Sequence, residues 1–251
     1  MKKQVNILWT GGLDSTCRMV ELSRFPYIIQ PYYIMDPSRQ STKYEMSAMT
    51  GIRELLISDE RTKSDIKPTI FVNIHDITKD DEITESRYRL HNRYGLGIQY
   101  EWLARYAKQS QIKLELGLQF SPTGRILKCI EENSKFLETK DHQYHVLMID
   151  TDHSAKDVVN VFENFLFPAS LYHKTKNEEV MMIRELMGND EILKRTWFCH
   201  QPIFGLSCGH CHPCKDVIHE GMTWRISKIG YILGGCRKIL IKMRSFVNVI
   251  I

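Results

Sequence analysis

Val5-Asn6-Ile7-Leu8-Trp9-Thr10-Gly11-Gly12-Leu13-Asp14-Ser15-Thr16 lies almost at the start of the chain and decides how the rest is read. The apolar residues predict a strand over Val5–Trp9, and the polar–apolar spacing after the glycines predicts a helix over Ser15–Leu22. A strand that runs through paired glycines into a helix is a phosphate cradle. Glycine lets the backbone turn tightly and bring its N–H groups against anionic oxygens. The helix N-terminus adds a favourable dipole, and the hydroxyls of Thr10, Ser15 and Thr16 add donors. The loop lacks the lysine-serine pair of a Walker loop and the glycine spacing of a dinucleotide fold. The plain alternative is an ordinary strand-to-helix turn capped by Asp14 or Ser15.

Outward from the loop, apolar runs alternate with amphipathic stretches, as in βαβ units around a parallel sheet. Strands are expected at Ile28–Met35, Thr69–Ile74, Lys113–Leu118, His145–Ile149 and Phe165–Ala169, and a turn at Ser121–Gly124. Helices are expected across Tyr44–Leu56, Tyr94–Lys108, Asp157–Phe162 and Thr175–Met187, and Asp76–Glu85 reads as an exposed acidic loop. The fold class is therefore α/β, with a nucleotide-binding domain over 1–190 and a second segment over 191–251.

That segment holds Cys199-x8-Cys208-x2-Cys211-x2-Cys214. Four soft ligands with Gly205, Gly209 and Pro213 between them suit a tetrahedral Zn²⁺. An iron–sulfur run would require a further cysteine where Ile218 stands, so zinc is favoured. Four protein ligands close the coordination sphere, and the metal is expected to be structural. His200, His210 and His212 read as neighbours of the site, with replacement of one cysteine by a histidine left open. Cys17, Cys129 and Cys236 read as core thiols, with the reservation that Cys17 lies near a helix start, where a thiolate is favoured.

The chain has 251 residues, 43% hydrophobic and 25% charged, with a net charge of +4. This is the composition of a soluble globular protein with a mild preference for anionic ligands. No signal core and no membrane-spanning run is expected, so the reading is cytoplasmic without a membrane partner, and seven cysteines there suit metal ligands or thiols better than disulfides. The tail is the most apolar stretch. It reads as a last strand or helix, packed in the monomer or forming a homodimer surface.

The glycine loop resembles the PP-loop of the ATP pyrophosphatases, with Thr10 in place of the usual serine. Together with the cysteine spacing, the chain resembles the 7-cyano-7-deazaguanine synthase family. Asp36 with Arg39 and Glu45, Phe167-Pro168 with Lys174 and Lys176, and Trp197-Phe198-Cys199 with Cys208-Gly209-His210-Cys211 carry that likeness. The resemblance implies an adenine nucleotide alpha hydrolase-like fold and an AMP-forming C–N ligase. Its cofactors would be ATP, Mg²⁺ and Zn²⁺. ATP would be held by Thr10, Gly11, Gly12, Leu13, Asp14, Ser15, Thr16 and Asp36, with Asp14 and Ser15 catalytic. The substrate would be 7-carboxy-7-deazaguanine, activated as an acyl-adenylate, amidated by ammonia and dehydrated to a nitrile of the queuosine pathway. The chain departs from the family at Gly117–Arg125, which has no carboxylate, and at Asn92-Arg93; Arg93 and Arg125 are candidate substrate binders. Two alternatives stay open. One is a specialised homologue of bacterial antiviral defence that joins the deazaguanine to a protein amine. The other is a non-catalytic zinc protein that binds nucleic acid through Lys194, Arg195, Trp197, His200 and Lys215.

Overall fold

The computed structural model describes residues 2–117, 125–139 and 141–250, the last ten of these by their backbone alone. The expected turn at Ser121–Gly124, and the end of the expected strand at Leu118, lie outside the described residues.

β1 (Gln4–Leu8) is followed by α1 (Leu13–Ser23), and β2 (Ile28–Met35) by α2 (Thr42–Ser58). β1 and β2 pair in parallel, with Val5 opposite Ile29 and Ile7 opposite Pro31. β3 (Asp65–Ile66) and β4 (Ile70–Asn73) both pair with β2, one along each half of it. Pro68 falls in the gap between them. It has no N–H to give a ladder, which separates the two; β4 is the strand expected over Thr69–Ile74, and β3 was not expected.

α3 (Asp81–Tyr94), α4 (Gln99–Gln109) and β5 (Leu114–Glu115) then carry the chain back to the other side of β1. α5 (Arg125–Asn133), β6 (Ser134–Phe136), β7 (Val146–Ile149), α6 (Lys156–Phe162) and β8 (Phe165–Pro168) complete the sheet. Its eight strands run β3-β2-β1-β5-β8-β7-β6, with β4 beside β2. β7 is antiparallel to both β8 and β6, and the other pairs are parallel. α7 (Lys176–Met187), α8 (Glu191–Arg195), α9 (His212–His219) and α10 (Lys228–Ile250) follow.

Alternation along the strands divides the interior into two cores. Val5, Ile7, Ile29 and Tyr33 face α1, α2, α7 and α8, whereas Tyr32 and Ile34 face α3, α4 and α6. Both faces of the sheet are covered, as a mainly parallel sheet requires. Val217 and Met222 belong to the first core, so the segment after residue 190 shares the interior of the domain built on the sheet.

Two expectations are corrected here. The helix expected over Tyr94–Lys108 is two helices, because Gly95 takes φ +71° and caps α3, its N–H reaching the His91 carbonyl at 2.7 Å. The acidic stretch expected to be a loop becomes helical from Asp81. Asp80 caps it by accepting from the Ile83 N–H at 3.1 Å, and Asp81 and Glu82 complement the helix dipole.

Candidate active site

The order of the sheet fixes where a ligand can enter. The chain proceeds from β1 to β2 on one side and returns to β5 on the other, so the loops leaving β1 and β5 part at a switch point. The loop leaving β1 is Trp9–Gly12. Trp9 is fully buried, and its indole N–H donates to Thr16 Oγ1 at 3.1 Å, which anchors both ends of the loop. Gly11 has φ +68°, and a side chain there would meet the Glu45 carbonyl and Ala48.

Gly12 is the N-cap of α1, and no side chain caps that helix end. Ser15, one of the two caps named in the plain alternative, accepts the Thr10 N–H from the first turn of α1. Donors around the loop hold only long internal bonds. The Gly12 N–H reaches Thr10 Oγ1 at 3.4 Å, the Thr10 N–H reaches Ser15 Oγ at 3.3 Å, and the two hydroxyls are 3.4 Å apart. Such bonds are weak enough to be exchanged for an anionic oxygen.

A cleft of about 400 Å³ opens above this loop. Thr10, Gly12, Leu13, Asp14 and Ser15 line it, together with Gly117 beyond β5. Gly11, Thr16 and Asp36 do not. Thr16 is wholly buried beneath the loop. Asp36 accepts from the Ser38 N–H at 2.9 Å and hydroxyl at 2.6 Å, bonds that hold its carboxyl below the usual range. Arg39, three residues on, lines the cleft instead, paired with Glu45 at 3.0 Å while Tyr33 donates to the same carboxylate at 2.6 Å.

The opposite wall was only partly legible. Lys176, in the first turn of α7, is ion-paired with Asp14 and lies 3.6 Å from Glu179. Burial pushes the Glu179 carboxyl up to about 7 and the Lys176 ammonium down, so loss of water outweighs their attraction. Arg225 and Glu220 also line the cleft. The Arg225 guanidinium donates to Thr196 Oγ1 at 2.6 Å and lies 4.5 Å over the Phe198 ring; burial lowers it to about 10. The Thr175–Glu178 capping box sets Lys176 at a helix start and could have flagged it. Nothing local marks Glu179 or Arg225.

Cys199, Cys208, Cys211 and Cys214 are buried together, with all four sulfurs within 4.8 Å of one another. The Cys208–Cys214 and Cys199–Cys211 sulfur pairs are each 3.9 Å apart. A tetrahedron with zinc–sulfur bonds of about 2.3 Å has edges of roughly 3.8 Å, so the set could hold a metal such as zinc. The N–H of Cys208 donates to Cys199 Sγ at 3.2 Å, and that of Cys211 to Cys208 Sγ at 3.3 Å, the partners a thiolate pair needs.

The three histidines stay outside this sulfur set. His210 donates to the Tyr231 carbonyl at 2.9 Å, His212 pairs with Asp216 at 2.7 Å, and His200 lines the cleft. One cysteine expectation changes: Cys236 is exposed rather than in the core. Cys17 is buried as expected, and burial pushes its thiol up, against the thiolate reservation. Cys129 is buried as expected.

Trp197 joins the two sites. Its N–H donates to the Gly11 carbonyl at 2.9 Å, its ring stacks on Tyr44 at 4.8 Å, and its indole donates to the Cys199 carbonyl at 2.8 Å. In the basic strip considered for nucleic acid, Trp197 turns inward and Lys194 pairs at the surface with Glu191 at 2.6 Å. Arg93 and Arg125 are exposed and do not line the cleft; Arg93 lies over the Tyr94 ring at 4.9 Å. No family model matches the chain, and no curated protein matches it.

Proposed function

We propose that the protein is an ATP-dependent, AMP-forming C–N ligase of the 7-cyano-7-deazaguanine synthase type. The observation that carries this reading is the convergence of the glycine loop, Asp14 and three cations, Arg39, Lys176 and Arg225, on one cleft at the sheet's switch point. That donor set fits a magnesium-bound triphosphate: backbone and hydroxyl donors for phosphate oxygens, one carboxylate for the metal, and cations for the remaining charge. Magnesium would supply Lewis acidity toward the phosphate oxygens.

The chain's own part is positioning and charge. Thr10, Gly12 and Ser15 donate to the departing pyrophosphate. Lys176 exchanges Asp14 for a phosphate and frees that carboxylate. A substrate carboxylate oxygen bonds to the α-phosphorus as the bond to the pyrophosphate breaks, and pyrophosphate leaves with the electron pair. Ammonia then bonds to the activated carbonyl, loses a proton and expels AMP. A second ATP then adenylates the amide oxygen with loss of pyrophosphate, and the nitrile forms as the nitrogen gives up its two protons and the C–O bond breaks, AMP carrying the oxygen away. The cysteine segment closes one wall through Trp197, Phe198 and Arg225, away from the reacting atoms.

The test is incubation with Mg-ATP, ammonia and 7-carboxy-7-deazaguanine, followed by mass spectrometry. AMP with nitrile is the expected outcome. AMP without nitrile would direct the acyl group to another acceptor, such as a protein amine. No AMP from zinc-loaded protein would overturn the ligase reading with this substrate.

A further inference from the structure

α10 meets the rest of the protein through one side only. A Cβ at Gly230 would lie 2.3 Å from the Ser207 carbonyl oxygen, and one at Gly234 only 2.1 Å from that of Cys208. Glycine at both positions is what lets the helix backbone rest on the cysteine segment, with Tyr231 stacked on His210 at 4.6 Å beside them. At 100° per residue, Ile229, Ile232, Cys236, Ile239 and Leu240 fall on the opposite side. Ile229 (63%), Ile232 (65%), Ile239 (61%) and Leu240 (60%) are exposed to a degree unusual for such residues, and they form one stripe rather than scattered positions. The stripe continues into a groove lined by Trp224, Ile226, Tyr231 and Ile232.

Charge says what covers it. Five cations, Lys228, Arg237, Lys238, Lys242 and Arg244, and no acidic residue fall between 228 and 250, enough to account for the whole net charge of +4. Lys228 and Arg237 are exposed and border the stripe on its two sides. Pairing with a second copy would set two acid-free cationic helices against each other. No helix among the described residues is long and apolar enough to cross a membrane. An apolar stripe with cationic borders instead matches a surface that is greasy beneath and negative above.

We propose that α10 lies in the interfacial plane of an anionic lipid bilayer, the Ile229–Leu240 stripe among the acyl chains and the flanking lysines and arginines among the headgroups. This departs from the sequence-based expectation of no membrane partner, which rested on the lack of a spanning run; an interfacial helix needs none. The proposal is independent of the chemistry in the cleft.

The experiment is co-sedimentation of the zinc-loaded full chain with vesicles of phosphatidylcholine alone or with two-fifths phosphatidylglycerol, at low and high salt. Binding is expected only to the anionic vesicles, weakening as salt rises. R237Q/K238Q should lower partitioning about thirty-fold, at roughly five-fold per charge. I232E/L240E should abolish binding at all salt concentrations, with zinc content and circular dichroism unchanged because both positions are exposed. Failure of the wild type to bind anionic vesicles would overturn the proposal, as would binding by I232E/L240E equal to wild type. A lipid-free dimer dispersed by I232E/L240E, or preferential binding to polyglutamate over vesicles, would assign the stripe to a protein surface instead.

Discussion

The glycine loop and the cysteine segment meet at one tryptophan, yet they are held in opposite ways. The loop is held by backbone: a parallel strand on one side, a helix on the other, and Trp9 buried beneath. The segment from Cys199 to Cys211 has a single isolated bridge, Ile203 with Leu206, and its buried cluster consists of the four sulfurs. Hydrogen bonds and packing hold the first, whereas the second has little regular backbone and gathers four sulfurs that could hold a metal such as zinc.

Metal removal should split the two regions most sharply. Structural zinc sites contribute roughly 10–16 kcal/mol of apparent binding energy in small domains. Chelation, or Cys214→Ser, should therefore take one zinc per chain to near none by elemental analysis. Hydrogen exchange should rise across 196–225 while β1 and α1 stay protected. Equal loss of protection in both regions would show that they fold as one unit.

Glu179 lies at the seam, and its titration tests the join. Its folded pKa of about 7 lies above the unfolded value of 4.5. The native state therefore holds the extra proton, and its stabilising effect is complete below pH 4.5 and lost as pH rises through 7. The unfolding free energy from urea titrations should fall between those values by up to roughly 3 kcal/mol, at 1.36 kcal/mol per pKa unit. Glu179→Gln should flatten the profile; an unchanged slope would place the titration elsewhere.

Trp197→Ala removes the Tyr44 stack and the indole bond to Cys199. It should cost about 2–3 kcal/mol for a partly buried tryptophan and weaken ATP binding, read by calorimetry. Zinc content should stay intact, since the sulfurs are untouched. Gly11→Ala has the smallest expected effect on stability, about 1–2 kcal/mol for a side chain at positive φ. Its effect on ATP binding should exceed that, because the Gly11 carbonyl holds Trp197 in place.

The strand–glycine–helix order, the mainly parallel α/β sheet and the cysteine quartet were all readable from residue order. Each depends on neighbours in sequence: alternation along β1 and β2, small residues at a turn, and ligands spaced a few residues apart. The helix from Asp81 was missed because its polar face hides the 3.6-residue period, and the break at Gly95 because a capping glycine resembles a tolerated one.

The other half of the cleft is assembled by tertiary structure, although the family resemblance had already named Arg39 and Lys176. Asp14, Lys176 and Arg225 are far apart in the chain, and each alone is an ordinary surface charge. The sheet's reversal between β2 and β5 and the return of α7 across α1 bring them to one point. The same holds for α10. Its amphipathic sequence says that it has an apolar side, but only the glycine contacts with Ser207 and Cys208 decide that this side faces outward. Sequence spacing determines local geometry because covalent neighbours share a helix or a strand. Which charges lose their water, and which apolar stripe keeps it, depends on what the fold lays across them.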